Sequence, residues 1–215
     1  MARNNVWMSV SDLMTGLMII FLFIAIAYIK RVQNNQSVLN EYVENRSVLH
    51  DKLAEEFRKE SDEGQMTIKG DLSMRFENAE TLFPSGSSSL SSTYREILSD
   101  VMPRYLNILL NDTMRDKIRE IRIEGHTDSN GEYFYNMQLS QDRTRSVLQY
   151  CFNLMTEEEI LWSKRLITAN GLSSSQPILI KGIEDKDLSR RVEFRVRTNA
   201  EKKLEEIANS DFLKK

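Results

Sequence analysis

Apolar residues crowd one end of this chain and are spaced out along the rest. From Val6 to Ile29 the sequence reads VWMSVSDLMTGLMIIFLFIAIAYI, with Asp12 as the one charged residue in the run. As a helix this run is about 36 Å long, enough to cross a hydrocarbon core of about 30 Å with some tilt. Trp7 and Tyr28 stand near its ends, where amphipathic aromatic rings favour the membrane interface, and Lys30 and Arg31 close it. A cleaved signal peptide is the rival reading, with Arg3 as its basic leader and Ala25-Ile26-Ala27 as a cleavage site. The length of the run and the acid near its start favour a retained membrane helix over residues 6–29. Arg3 on one side, against Lys30, Arg31 and Arg46 on the other, taken alone favours a cytoplasmic C-terminus.

Between Val32 and Lys59 the chain turns polar and helix-prone, with no Gly or Pro. Leu39, Tyr42, Leu49 and Leu53 fit a and d positions of one heptad frame, but Arg46 and Glu56 interrupt the seam. A solvated helical spacer over 30–64 is expected, a short parallel coiled coil being the alternative. Ser61-Asp-Glu-Gly64 reads as a break. From Gln65 onward the period alternates. Met66–Phe76 carries strand-like stretches, and Phe83–Leu90 (FPSGSSSL) is a turn-rich loop. Ser91 or Ser92 caps a helix reaching about Leu110, kinked at Pro103. Ile118–Glu124 (IREIRIE) alternates as a half-buried strand, and Gly125–Gly131 is a loop. A helix from about Tyr133 to Met155 turns Leu139, Val147, Leu148 and Phe152 to the core. Leu166–Ala169 and Val192–Val196 are strands, and a closing helix fills the 200–215 tail. The predicted class is α+β: a mixed sheet covered by helices on one side, spanning 65–199.

Composition narrows function mainly by exclusion. Net charge is −3, and Lys and Arg are interspersed with Asp and Glu, so nothing points to nucleic acid. Cys151 is the single cysteine, which rules out an intramolecular disulfide. His50 and His126 are far apart in sequence, and no zinc motif, P-loop or activated nucleophile is present. Neither an enzyme nor a metal or other cofactor is expected.

Two places look chemical. A carboxylate in a membrane helix costs about 2.5–3.5 kcal/mol on insertion scales, so Asp12 should face water or a partner helix. Desolvation there would bring proton exchange nearer to working pH. Gly16 and Ser9, one turn to either side, would let another helix pack closely. The plainer alternative has Asp12 near the interface, reaching headgroup water. The second place is Gly125-His126-Thr127-Asp128, a loop directly after a strand. Fifteen residues on from Asp128, Arg143 lies near the start of a helix, able to converge on the same pocket. An acid and an arginine held apart suit a zwitterion, Asp128 taking an ammonium and Arg143 forking onto a carboxylate. A strand-to-helix salt bridge with no ligand is the alternative.

DLMTGLM at 12–18, after Trp7 and before Ile-Ile-Phe-Leu-Phe, resembles the membrane helix of MotB-type stator subunits. GHTDSNG, NMQLSQDRTRSV and Ser189-Arg190-Arg191-Val192-Glu193 resemble three ordered motifs of the OmpA-like peptidoglycan-binding domain, over roughly Leu72 to Arg197. The resemblances imply proton binding at Asp12 and an OmpA-like βαβαβ domain. They also imply a site at Thr127, Asp128, Asn136, Leu139, Arg143, Arg190 and Arg191 that holds the diaminopimelate of the stem peptide. Ser189 replaces the family's Asn, which puts that contact in doubt. The short N-terminus and the serines of WMSVSD look closer to ZorB-type subunits of Zorya anti-phage systems than to flagellar relatives. By implication the chain is a dimer within a pentamer of a ZorA/MotA-type membrane partner, single-pass in the inner membrane. Its residues 1–5 would be cytoplasmic and its C-terminal domain periplasmic. A passive envelope tether is the competing function.

Overall fold

The computed structural model describes residues 2–76 and 79–212, with side chains for 10–76 and 81–209. The expected roles of Arg3, Trp7 and Ser9 therefore fall outside the described side chains. Residue 1 of the expected cytoplasmic segment and residues 213–215 of the expected closing helix fall outside the described residues.

One helix, α1, runs unbroken from Ala2 to Glu56. It contains the one stretch among the described residues that is long and apolar enough to cross a membrane, and that stretch is not buried by the rest of the protein. A short helix α2 (Arg58–Asp62) follows. Gly64, at a φ of 69° that favours glycine, turns the chain into the hairpin β1 (Met66–Ile68) and β2 (Ser73–Phe76). Then come α3 (Ala79–Leu82), α4 (Ser92–Leu109), β3 (Ile118–His126), α5 (Tyr133–Asn153), α6 (Glu157–Leu166) and β4 (Ile167–Gly171). A small hairpin of β5 (Leu179–Ile180) and β6 (Ile183–Glu184), the single turn α7 (Lys186–Ser189), β7 (Arg191–Thr198) and α8 (Asn199–Phe212) complete the chain.

The main sheet has the order β1-β2-β7-β3-β4, parallel between β3 and β4 and antiparallel elsewhere. Alternation along its strands sorts the two faces. Ile121, Ile123, Phe194, Val196, Met74 and Phe76 join the core. Their neighbours Glu124, His126, Arg191, Glu193, Arg195 and Arg75 form a charged ladder on the other face, where Glu193 accepts from Arg75 at 2.9 Å and Arg191 at 2.5 Å. Ser91 caps α4 by accepting from the Tyr94 backbone at 3.0 Å.

Two expectations change. The expected spacer is not solvated along its length: Leu49, Leu53 and Phe57 are fully buried in the domain core. Leu49 and Leu53 of the alternative coiled-coil seam thus point into their own chain, while Leu39 stays exposed. Arg46, which broke the seam, donates to the Gly70 carbonyl, and Arg104 of α4 clasps Glu56 and Glu60 at 2.7 and 2.5 Å. The core side of α5 is more polar than expected: Val147 is buried and Leu148 and Phe152 pack against the core, as expected, but Leu139 lines a cavity instead, and Asn136, Ser140, Thr144 and Cys151 share the inner stripe. A Cβ added to Gly125 would lie 2.6 Å from Thr144 Cγ2, and one added to Gly171 would lie 2.4 Å from the Gln141 backbone nitrogen. The helix rides directly on strand backbone there, which leaves room only for small side chains.

Candidate functional site: a charged cavity at the tip of the sheet

α1 joins the domain where β3 begins: Lys117 donates to Asn45 at 2.8 Å, and Arg46 reaches the β1–β2 turn. The candidate residues gather at the opposite end of the sheet. There β3 ends and β7 starts, and the loop after α3 folds over them. Phe83, Ser85, Gly86, Thr127, Asp128, Asn136, Leu139, Arg143 and Arg190 line a cavity of about 510 Å³.

Local geometry explains why this end is rigid. Asn136 donates to the carbonyl of Asn130 at 2.7 Å, tying the 128–131 loop to α5. Ser173, at an unusual φ of 51°, accepts from the Thr127 backbone at 3.0 Å through its carbonyl. Its backbone N–H donates to Ser140 Oγ at 3.1 Å, and its own hydroxyl donates to the Tyr133 carbonyl at 3.0 Å. Strand end and helix start are thereby fixed to one residue.

Asp128 and Arg143 line the same cavity but do not bridge each other. Asp128 instead accepts from Arg190 at 2.7 Å and from the Asn130 backbone at 2.9 Å. Arg143 lies over the Phe83 ring at 4.8 Å and donates from Nε to the Ser87 carbonyl at 2.9 Å. None of its hydrogen bonds or ion pairs goes to a carboxylate of a described residue, and burial pushes its guanidinium below the ordinary value. Thr127 Oγ1 is buried with no hydrogen-bond partner among the described residues. Arg190 is bridged by Asp187 as well as Asp128, so the guanidinium of the lining with no carboxylate among the described residues is that of Arg143. Such a cavity suits an anion or a zwitterion carrying an extra carboxylate.

Arg191 is the expected site residue that the structure places elsewhere. It is buried on the charged face, donating to Glu193, and to the Gln176 and Ser189 carbonyls at 3.2 and 3.1 Å. It supports the start of β7 and leaves the cavity to Arg190. Phe83, Ser85 and Gly86 are lining residues absent from the expected set. The turn-rich FPSGSSSL run was their signal, because such loops commonly carry binding groups.

Near the cavity, Glu124, His126 and Glu193 hold potential ligand atoms within 4.8 Å of one another. Glu193 is already engaged by two arginines, and Arg195 lies 3.3 Å from Glu124. The carboxylates are thus balanced by guanidiniums, which argues against a cation there. Neither ring nitrogen of His126 has a hydrogen-bond partner among the described residues, and burial holds its pKa down at about 3. At the other end of the chain Asp12 lies on the unburied part of α1, and a Cβ built on Gly16 would meet nothing within 4 Å.

The OmpA family matches residues 82–191, which hold every lining residue. The Zorya protein ZorB of Escherichia coli strain ATCC 8739 (Crooks) is 41% identical over 221 residues, spanning 95% of this chain and 92% of that one. A second Zorya protein ZorB, from Escherichia coli O139:H28 strain E24377A, is 28% identical over 91% of this chain and 81% of its own length. Among solved structures, a MotB-like protein from Desulfovibrio vulgaris shares the fold, with a TM-score of 0.56 at 22% identity over 74% of this chain and 98% of that one.

Proposed function

This chain belongs to the ZorB family and carries an OmpA-family domain, and from that premise we propose that it anchors a proton-driven inner-membrane motor of anti-phage defence to the diaminopimelate stem peptide of peptidoglycan. The observation that carries the wall half is Arg143: a largely buried guanidinium facing a cavity, with no carboxylate partner among the described residues. A buried charge without a counter-charge is costly, and a ligand carboxylate would relieve it. The ligand's ammonium takes Asp128, and its free carboxylate takes Arg143. Thr127 Oγ1 gains the partner it lacks.

The motor half rests on Asp12. The stretch around it is apolar and unburied, so a carboxylate there calls for a partner helix, and the open flank of Gly16 offers one a close approach. Proton exchange at Asp12 drives a pentameric ZorA-type partner around a dimer of this chain. Peptidoglycan lies outside the inner membrane, so the N-terminus is cytoplasmic and the domain periplasmic, against the bare count of flanking charges. The cavity then faces away from the membrane, because α1 joins the domain at the other end of the sheet.

One experiment separates the halves. Arg143→Met should lose sedimentation with purified peptidoglycan and lose phage protection. Asp12→Asn, nearly isosteric but unable to exchange a proton near neutral pH, should keep sedimentation and lose protection at matched membrane abundance. Full protection by Asp12→Asn would leave only a passive tether.

A further inference from the structure

The last helix leads back along α1, on which it packs. Asn199, which opens α8, donates to the Asp116 carbonyl at 2.8 Å, and the neighbouring Lys117 donates to Asn45 of α1 at 2.8 Å. Four residues further along α8, Lys203 reaches Glu41, four residues back along α1, at 3.4 Å. The two helices are therefore antiparallel, and α8 runs toward the apolar end of α1. Burial follows the same register. Ala200 is buried and Leu204 and Ile207 are half-buried, one stripe at helical spacing. On α1, Val38 and Tyr42 are half-buried, and so is Asn35 one turn nearer the apolar run, whereas Leu39 and Val43 on another side of that helix stay exposed. At equal rise per residue, Phe212 at the end of α8 comes roughly level with Val32. The next residues of α1 are Arg31 and Lys30, which close the apolar run.

We propose that the far end of α8 is a second foot on the membrane: the segment from Phe212 to Lys215 docks on the periplasmic leaflet, with its lysines on the phosphates of anionic lipid. The proposal rests on the reading of α1 as a membrane span. Level is the first argument. Val32 lies three residues beyond Ile29, a rise of about 5 Å, so the end of α8 arrives where hydrocarbon gives way to headgroups. Composition is the second. Phe212-Leu213-Lys214-Lys215 joins two large apolar residues to two cations and holds no acid, whereas Lys202 and Lys203 earlier in α8 are matched by Glu201, Glu205 and Glu206. Apolar groups beside lysines suit an interface, the first entering the acyl boundary while the ammonium groups reach phosphate on long stems. Placement is the third. By helical spacing, position 212 falls about 120° around α8 from the Ala200 stripe that faces α1, so α1 does not cover it. With Lys30 and Arg31, the two lysines bring four cations to one level. A domain held by one helix can swivel about it, and a second foot fixes its heading over the bilayer.

The test places a nitroxide label on one introduced cysteine of the full chain in phosphatidylglycerol nanodiscs. Its collisions with oxygen, which concentrates in lipid, are compared with those of a water-soluble nickel chelate. Cys151 stays unlabelled, because it is buried and burial pushes its thiol up to about 12. Ile20→Cys reports the lipid interior, and Glu206→Cys, on an exposed side of α8, reports water. Leu213→Cys should be open to oxygen and shielded from nickel, closer to Ile20→Cys than to Glu206→Cys. Adding Phe212→Glu should return that label to water. Docking should weaken about 5-fold for each of Lys214→Gln and Lys215→Gln, and by both factors together in pure phosphatidylcholine. A label at 213 as open to nickel as the one at 206, with the label at 20 still in lipid, would overturn the foot and leave the span intact. Equal docking with and without anionic lipid would overturn the phosphate contact. A label at 20 open to nickel would overturn the span and the foot together.

Discussion

Replacing Leu53 by alanine tests whether the helix leaving the membrane is a tether or part of the domain. Leu53 is fully buried, as are Leu49 one turn before it and Phe57 one turn after. Truncating a leucine in such a position removes apolar burial and leaves a cavity that its neighbours only partly refill, at a cost of about 2–5 kcal/mol. Arg104 pins this part of the chain through Glu56 and Glu60, and its guanidinium lies 4.8 Å from the Phe57 ring centroid, so collapse around the gap is restricted. A loss near 3 kcal/mol should lower the melting temperature by roughly 6–12 °C in a domain of this size. The assay is thermal unfolding of the full chain followed by near-ultraviolet circular dichroism. Leu39→Ala is the control, because Leu39 is 42% exposed on the same helix, and surface changes usually fall within about 0.5 kcal/mol. Equal melting temperatures for the wild type and Leu53→Ala would refute the reasoning and return residues 30–64 to the role of a solvated spacer. A change in self-association without a change in melting would restore the coiled-coil seam.

Two further outcomes follow from the charged face and the helix contact. His126 is held neutral, its pKa near 3 against an ordinary 6.5, by burial and by Arg191, Arg195 and Arg75, with Glu193 opposing. The unfolded chain protonates first as pH falls below 6.5, so stability should drop by about 2 kcal/mol between pH 7 and pH 5. Glu193, held near 2 chiefly by Arg191 against its own burial, adds a loss confined to lower pH, between 4.5 and about 2. His126→Gln should flatten the pH 7–5 slope measured by denaturant unfolding, and an unchanged slope would count against the histidine. Gly171→Ala places a methyl 2.4 Å from the Gln141 nitrogen and 2.7 Å from its Cα, backbone atoms that cannot swing aside. It should cost about 1–3 kcal/mol and, by displacing α5, weaken peptidoglycan sedimentation; wild-type melting would show that the contact has slack.

Much of the fold was legible because burial on one face leaves a period in the sequence. IREIRIE and VEFRV alternate as their strands do, and the extra reach of β3 to His126 was hidden only because Gly125 and His126 read as loop residues. α6 was overlooked although Thr156 and Glu159 form a capping box, with the Thr156 backbone donating to Glu159 at 2.7 Å. Its apolar positions, Trp162 among them, are too few to set a period. The inner stripe of α5 was legible only in part, at Val147, Leu148 and Phe152: at a contact this close the other buried residues are Ser140 and Thr144, which a hydrophobicity pattern counts as surface. Leu49 and Leu53 were seen as apolar and correctly spaced, but spacing does not say which partner covers them. Among the site residues, motifs placed Asp128, Asn136, Arg143 and Arg190 around one cavity. They did not distinguish Arg190 from Arg191, because only the point at which β7 begins, at Arg191, decides which of the two side chains turns to the charged face and which lines the cavity.

The claim that matters most is that Arg143 receives a carboxylate of the stem peptide, and a double-mutant cycle addresses it directly. One arm is the full chain against Arg143→Met, which keeps an unbranched apolar side chain and removes the guanidinium that lies over Phe83. The other arm is a stem peptide with a free carboxylate on its diaminopimelate side chain, against the same peptide amidated there. Calorimetric titration at fixed salt gives four affinities. The wild type should lose about 30-fold or more on amidation, the equivalent of about 2 kcal/mol for one side of a desolvated charge pair. In Arg143→Met the same amidation should change affinity by less than about threefold. Equal binding of both peptides by the wild type would contradict the account. So would an amidation penalty that persists undiminished in Arg143→Met, which would assign the carboxylate to Arg190 instead.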